Sequence, residues 1–594
     1  MFGKFDEDIC DNVVRYGNVV LSAQENEALS LPPKFAIYEP VNEGQMDLEL
    51  RETGVKMRWT MRKIEETGSK EETDEELAGS THWVKGSEKV DFSNTRATNL
   101  KHNRRIFIPE PVKKKDFEVL WRGFERECMD TTKSVKKRLN LDHNGSKVYN
   151  LSDEQDKGVQ SLVNRVSNDG LVVFQTDKSG KLTVDDIENF SAKMKPHLND
   201  CENVDKETVV RIKDEMNARA VCWGRILNIG AKWHHEDRVK QALSSTSTDP
   251  PVIYGLPKDH KDVEGTEEHP LRPVCGANRG PGARLSNILS NLINPCNEAV
   301  AGDSQVESTE DLQACIAGFN LLPQEDRTDV VIFSMDVKAL YPSIRVDTTV
   351  EAVKELLQDT TVQFENVNFT ELARYLPLTI DGKDLENSGL MEVVMTRKTH
   401  LGRKPKVTGY EMTKEWDEDN SIWRPPERDP TDDEKRMMIA LAVSEEVRFV
   451  MKNHLFKFRE TIFRQNDGGS IGSELTGVVA KTRVIRFIRK LWQALENNGV
   501  DAKIIKAFVD DLFLAVKSVQ RREDDSDHVL DDELTAQAVM QIANQIEDDI
   551  QLTFDAPSLN PDLRMPVLDM KLWVHQQRIL HVFFEKSMTS SRIF

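Results

Sequence analysis

Apolar residues are spread unevenly along this chain, and its two densest apolar blocks both carry acid. In "KIIKAFVDDLFLAVK" (503–517) two β-rich runs flank Asp510 and Asp511. Both runs read as buried strands, which puts the two aspartates at or near a hairpin turn. In "DVVIFSMDVKALYPSI" (329–344) a β-branched and aromatic run ends at Asp336. A third such run, 567–574, completes the strands expected to share one sheet. Helical spacing marks "LSDEQDKGVQSLVNRVSNDG" (151–170), where Ser152 is the N-cap, Gln155 stands three residues on and Gly170 follows the end. "LVVFQTDKSGKLTV" (171–184) reads as two strands around a turn at Lys178-Ser179-Gly180. A helical block at about 205–245 leads into "PPVIYGLPKDHK" and the Gly/Pro/Arg-rich stretch 271–295. Residues 1 to about 95 show little periodicity and are expected to pack loosely or lack order.

Composition narrows the class. A chain of 594 residues, 38% hydrophobic and 30% charged, buries a large core. By length it holds roughly two to four domains. Seven scattered cysteines include no CxxC pair, which argues against a zinc knuckle or disulfide framework and suits a nuclear or cytoplasmic setting. No apolar run approaches the roughly 20 residues of a membrane span, so no membrane partner is expected. Net charge is −21, yet the distribution matters more than the sum. Acid concentrates at 65–79, 415–420, 428–435 and 522–533, and base at 99–107, 112–117 and 133–140. The basic segments suit either a phosphate backbone or an ordinary solvated helix.

The acids carry the candidate chemistry. Asp510-Asp511 at a strand junction reads as a polar turn or as a metal site. Two adjacent anions in a half-buried place cost several kcal/mol unless a cation compensates them. Hard oxygen donors suit magnesium or manganese. If the strand ending at Asp336 neighbours the one at Asp510, three acids gather. Such a cluster holds two divalent ions of the kind that catalyse phosphoryl transfer.

At this point the sequence resembles reverse transcriptases. "FSMDVKALYPSI" is similar to their motif A and "AFVDDLFLAV" to motif C. "RQNDGGSIGSELTGVVAKTRV" (464–484) resembles motif B, and "MPVLDMKLWV" (565–574) the motif E hairpin. "QTDKSGKLTV" and "YGLPKDHK…LRPVCGANRGPGARLSNIL" resemble the fingers of the Penelope-like retroelements, relatives of telomerase reverse transcriptases. The likeness runs in order over about residues 150–590.

It implies an α+β right-hand polymerase: an N-terminal extension, partly disordered, at 1–150 with a basic segment at 99–140; fingers at 151–325; a palm at 326–575 with insertions near 383–435 and 521–535; and the start of a thumb at 576–594. It implies that Asp336, Asp510 and Asp511, with the carbonyl of Val337, bind two Mg2+ or Mn2+ ions. Tyr341 would be the steric gate against a 2′ hydroxyl. Arg272 would clamp the triphosphate, assisted by Lys178 and Lys181. Gln465 and Gly468 would contact template and incoming base, and Gly472-Ser473 would open a supporting helix. The implied partners are an RNA or DNA template with its primer, and deoxynucleoside triphosphates. Glu474 stands where the family has proline, and the truncated thumb is a second departure. Two other readings compete: a family B-like DNA-directed polymerase, whose motif A shares the Leu-Tyr-Pro-Ser-Ile run, and a nucleic-acid-binding remnant of a retroelement.

Overall fold

The computed structural model describes residues 13–17, 19–31, 89–92, parts of 121–130, and 151–583 except 169, 179–180, 230–235, 246–248, 259–268, 277–279, 399–421, 425 and 519–530. The basic segments at 99–107, 112–117 and 133–140, the acidic stretches at 65–79 and 415–420, and the tail 584–594 lie outside the described residues.

The fold is α+β. Its centre is a four-stranded antiparallel sheet, ordered Ala502–Phe508, Asp511–Lys517, Val330–Val337, Leu552–Asp555. Side chains alternate across a strand, and here both faces are covered, so the strands read as nearly continuous apolar runs. Val331, Phe333, Met335 and Val337 join Leu512, Leu514 and Val516 in the principal core. Val330 and Ile332 join Phe513 and Ala515 in a second core on the other face.

Helices cover the first face. Val346–Asp359 buries Val346, Val350, Val353 and Leu357, an i, i+4, i+7, i+11 stripe. It packs against Asp432–Lys452 and Glu474–Asn497. The principal core also takes in Ile212, Met216, Leu285 and Leu289, so it runs across the expected boundary between fingers and palm. Leu385, Leu390, Val393 and Val394 belong to the same core although they fall within the expected insertion at 383–435.

One strand assignment needs correction. The 567–574 run does not enter the central sheet; Met565–Val567, Met570–His575 and Arg578–Phe583 form a separate three-stranded sheet. Two tight turns fold this stretch onto itself, with positive φ at Leu568 and at both Gln576 and Gln577. Met565, Met570 and Leu572 then roof the second face of the central sheet. The place beside Val330–Val337 goes to Leu552–Asp555.

The expected helix at 151–170 is present as Asp153–Ser167, with a reciprocal capping box between Ser152 and Gln155. Leu171–Gln175 and Leu182–Asp186 pair as a hairpin, as do Ile253–Pro257 and Leu271–Cys275. The described parts of the N-terminal region, 13–17, 19–31 and 89–92, are packed; the rest of that expectation lies outside the described residues. Val13–Arg15 adds a parallel strand to Leu182–Val184. Tyr16 and Phe92 are buried at 3% and 1% exposure.

Candidate active site

The three aspartates meet at one corner of the central sheet. Register places Asp336 directly opposite Asp511 on adjacent antiparallel strands. Asp510 belongs to the two-residue turn closed by the Phe508–Asp511 pair. The Val337 N–H donates to the Asp510 carbonyl at 3.3 Å, tying that turn to the end of the Asp336 strand. Asp336 has the parity of Val330 and Ile332, and Asp511 that of Phe513 and Ala515, so both project from the same face. Val337, expected to lend its carbonyl, is 3% exposed at this corner.

The turn is strained. Val509 has φ +59°, a conformation that the first residue of a tight hairpin loop normally leaves to glycine. For a β-branched residue this costs on the order of 1–3 kcal/mol and persists only where its surroundings impose it. The imposing elements are the two paired strands on either side.

The donor set is chemically right for a hard divalent cation. Directly opposed residues place their Cβ atoms about 4.5–5.5 Å apart, so two carboxylates there reach a common ion. Asp336 and Asp510 are half-buried and Asp511 is exposed, so the corner is open to solvent. Among the described residues, no three His, Cys, Asp or Glu side chains already stand as a ready ligand set.

Tyr341 and Arg272 join this corner from other elements. Tyr341 lies in the helical turn Leu340–Ser343, entered through Ala339 in the left-handed conformation at φ +52°. Burial pushes the Tyr341 phenol up, the Asp510 charge adds to that, and the Arg272 guanidinium opposes it. The phenol thus stands within electrostatic reach of both groups. Arg272 pairs with the Asp177 carboxylate at 3.3 Å, joining the Leu271–Cys275 strand to the hairpin turn. Lys178 and Lys181 lie exposed on that turn, whose ends are closed by Thr176 N–H to Lys181 O at 2.9 Å.

The loop 465–473 is the hub. Gln465 ends the Thr461–Gln465 strand. Gly468 has φ +78°, and a Cβ there would stand 2.6 Å from the Pro342 carbonyl and 3.2 Å from Gln465 Nε2. The Gly469 N–H donates to the Tyr341 carbonyl at 2.7 Å. Gly472, φ +104°, leaves no room for a side chain: its Cβ would lie 2.4 Å from the Cys275 carbonyl. Cys275 N–H in turn donates to Ile471 O at 2.7 Å. One glycine-rich loop therefore touches both the turn of Tyr341 and the strand of Arg272.

The helix Glu474–Asn497 begins at Ser473, as expected. Glu474 suits a first helical turn electrostatically, but burial pushes its carboxyl up to about 7.

Three residues escaped the sequence reading. Asp177 sits beside the expected lysines and holds Arg272. Asp467 accepts from Val346 N–H at 2.7 Å and from Gly468 N–H at 3.1 Å. Arg483, fully buried in the Glu474–Asn497 helix, pairs with Glu547 and, at 2.9 Å, with Asp549. Asp467 was visible within the motif B block, whereas Arg483 carries no local signal.

No protein-family model matches the chain, and no curated protein matches it. Among solved structures, it is similar to telomerase from Candida albicans in complex with a TWJ fragment of telomeric RNA. Identity is 10% over 73% of this chain and 58% of that one, at TM-score 0.38. It is also similar to apo telomerase from Candida tropicalis truncated from the C-terminal domain, at 11% identity over 72% of this chain and 66% of that one, TM-score 0.36. The chain thus spans less than two thirds of either neighbour's length.

Proposed function

We propose that the chain is an RNA-directed DNA polymerase of the reverse-transcriptase type, in the Penelope-like branch that its motifs resemble. The observation that supports this most is the pairing of Asp336 with Asp511, with Asp510 bonded through its carbonyl to Val337. In this reading Asp336, Asp510, Asp511 and the Val337 carbonyl hold two Mg2+ or Mn2+ ions, which supply activation of a primer 3′ hydroxyl and neutralisation of the triphosphate. The Arg272 guanidinium binds the triphosphate oxygens, for which its planar fork is suited. Asp177 keeps that guanidinium in place. Lys178 and Lys181 add positive charge on the same side. The Tyr341 ring fills the space a ribose 2′ hydroxyl would take. Gln465 and the backbone at Gly468 face the templating pair.

Primer extension on RNA and on DNA templates, with deoxynucleoside triphosphates and magnesium or manganese, tests the proposal. DNA synthesis on an RNA template is the expected result. Copying of DNA alone would point to the family B-like reading. Binding of primer–template with no extension under either metal would remove the enzymatic assignment.

A further inference from the structure

We propose that Asp467 is a positioning residue for sugar selection, setting how far the Tyr341 ring projects into the nucleotide site. The inference rests on the polymerase reading above.

The segment that carries Tyr341 has little rigidity of its own. It is a single helical turn, Leu340–Ser343, entered through a left-handed residue and left through extended backbone at Ile344. The helix after it starts at Val346 with Arg345 at its N-cap, and that cap residue gives no side-chain bond. The orphan amides of this helix start are satisfied from elsewhere in the chain. Asp467 Oδ1 accepts from the Val346 N–H at 2.7 Å. Asp549 accepts from the Arg345 N–H at 3.0 Å. A carboxylate at a helix N-terminus is doubly favourable, as acceptor and as negative charge facing the dipole.

The same Asp467 oxygen also accepts from its neighbour Gly468 N–H at 3.1 Å, which fixes the carboxylate against its own loop. Two residues on, Gly469 N–H holds the Tyr341 carbonyl at 2.7 Å. The residues 341–346 are therefore pinned to the 467–469 loop at both ends. One pin is made by backbone alone and survives substitution. The other is a side chain. Removing it leaves the far end held by Asp549 at Arg345, and that looser anchoring lets the ring swing away from the sugar, while the aspartate corner keeps its own sheet register.

The test compares incorporation of deoxyribonucleotides and ribonucleotides by the wild-type chain and by Asp467→Ala, Asp467→Asn, Tyr341→Ala and the Tyr341→Ala/Asp467→Ala double variant. Loss of a charge-assisted hydrogen bond corresponds to about a tenfold change. Asp467→Ala is expected to lower discrimination about tenfold, through KM for the ribonucleotide. Asp467→Asn keeps an acceptor oxygen and is expected to restore most of it. In the double variant, discrimination should equal that of Tyr341→Ala, because Asp467 acts through that ring.

An equal fall in kcat for both sugars with discrimination within about twofold of wild type would overturn the inference. So would additive losses in the double variant, or a Tyr341→Ala variant that discriminates normally. Should Asp467→Ala fail to fold, Asp467→Ser, too short to bridge both amides, is read against the same thresholds. A wild-type chain that extends no primer at all instead sinks the polymerase reading.

Discussion

Two acid-rich places flank the same strand, Val330–Val337, and they are built on opposite terms. On one side, across the sheet, lie Asp510 and Asp511. On the other, just before the Leu552–Asp555 strand, lie Glu547 and Asp549. Glu547 and Asp549 are each 8% exposed, and Arg483 between them is fully buried. Burial pushes the Asp549 carboxyl up, but the Arg345 amide and the Arg483 guanidinium outweigh it and hold it below the ordinary value. Thr348 also bonds to Asp549, at 2.9 Å, and Lys490 to Glu547, at 2.8 Å. This cluster is buried and its carboxylates are paired within the chain, with the Arg483 Nε left without a hydrogen bond. The aspartate corner is more open, its turn strained at Val509, with Asp511 exposed and Asp336 and Asp510 half-buried. A sealed charge network fastens elements together, whereas an open one can receive something.

That contrast is testable. The largest effect is expected from Asp510→Asn: a loss of extension of about a thousandfold or more, equivalent to roughly 4 kcal/mol of barrier. Removing one of several crowded anions should leave the melting temperature in chelator equal or higher. Retained extension would separate the corner from the chemistry.

Next comes Arg483→Met, which keeps volume but strands two buried acids. It should cost about 3–5 kcal/mol of stability, read by thermal or denaturant unfolding. An unchanged midpoint would mean the sealed network does not fasten the fold.

Tyr341→Ala should admit ribonucleotides with a gain of roughly tenfold, the scale of one methylene-sized to ring-sized steric contact. Unaltered sugar preference would move the gate elsewhere.

The smallest effect concerns Glu474. Its folded pKa of about 7 lies above the ordinary 4.5. The folded state therefore binds more protons between these values, so its stability contribution is present below pH 4.5 and lost as pH rises through 7. Glu474→Gln should raise the melting temperature at pH 8, by the equivalent of about 1 kcal/mol after allowance for partial exposure, and leave it unchanged at pH 4.5. Equal shifts at both would assign the effect to something other than ionisation.

Strands buried on both faces announced themselves: Val330–Val337 and the hairpin around Asp510-Asp511 were legible because nearly every position is apolar. The capping box at Ser152 and Gln155 was legible because it is local. Pairing partners were not. The 567–574 run is apolar enough for any sheet, and only its two tight turns direct it onto itself. Leu552–Asp555 is four residues long, too short to give a period, yet it takes the place beside Asp336. Arg483 looked like one more basic residue in a helix, since the acids it joins lie 64 and 66 positions away. Within the site, Asp177 and Asp467 were passed over because their partners are a guanidinium on another hairpin and a pair of backbone amides. The guanidinium stands on another hairpin and the Val346 amide lies 121 positions away, so neither is announced beside its acid.

The parallel strand Val13–Arg15 has a practical corollary for anyone trimming this chain. Lys193 sits 3.9 Å over the Tyr16 ring, and the helix Ala23–Leu29 lies against Asp153–Ser167, where Glu25 meets Arg165 at 3.0 Å. A shortened version starting at Leu151 would lose the edge that shields the Leu182–Asp186 strand. It would bare a sticky flank right behind the hairpin that carries Asp177, Lys178 and Lys181. Keeping the first thirty residues should matter more for solubility than their unpromising composition implies.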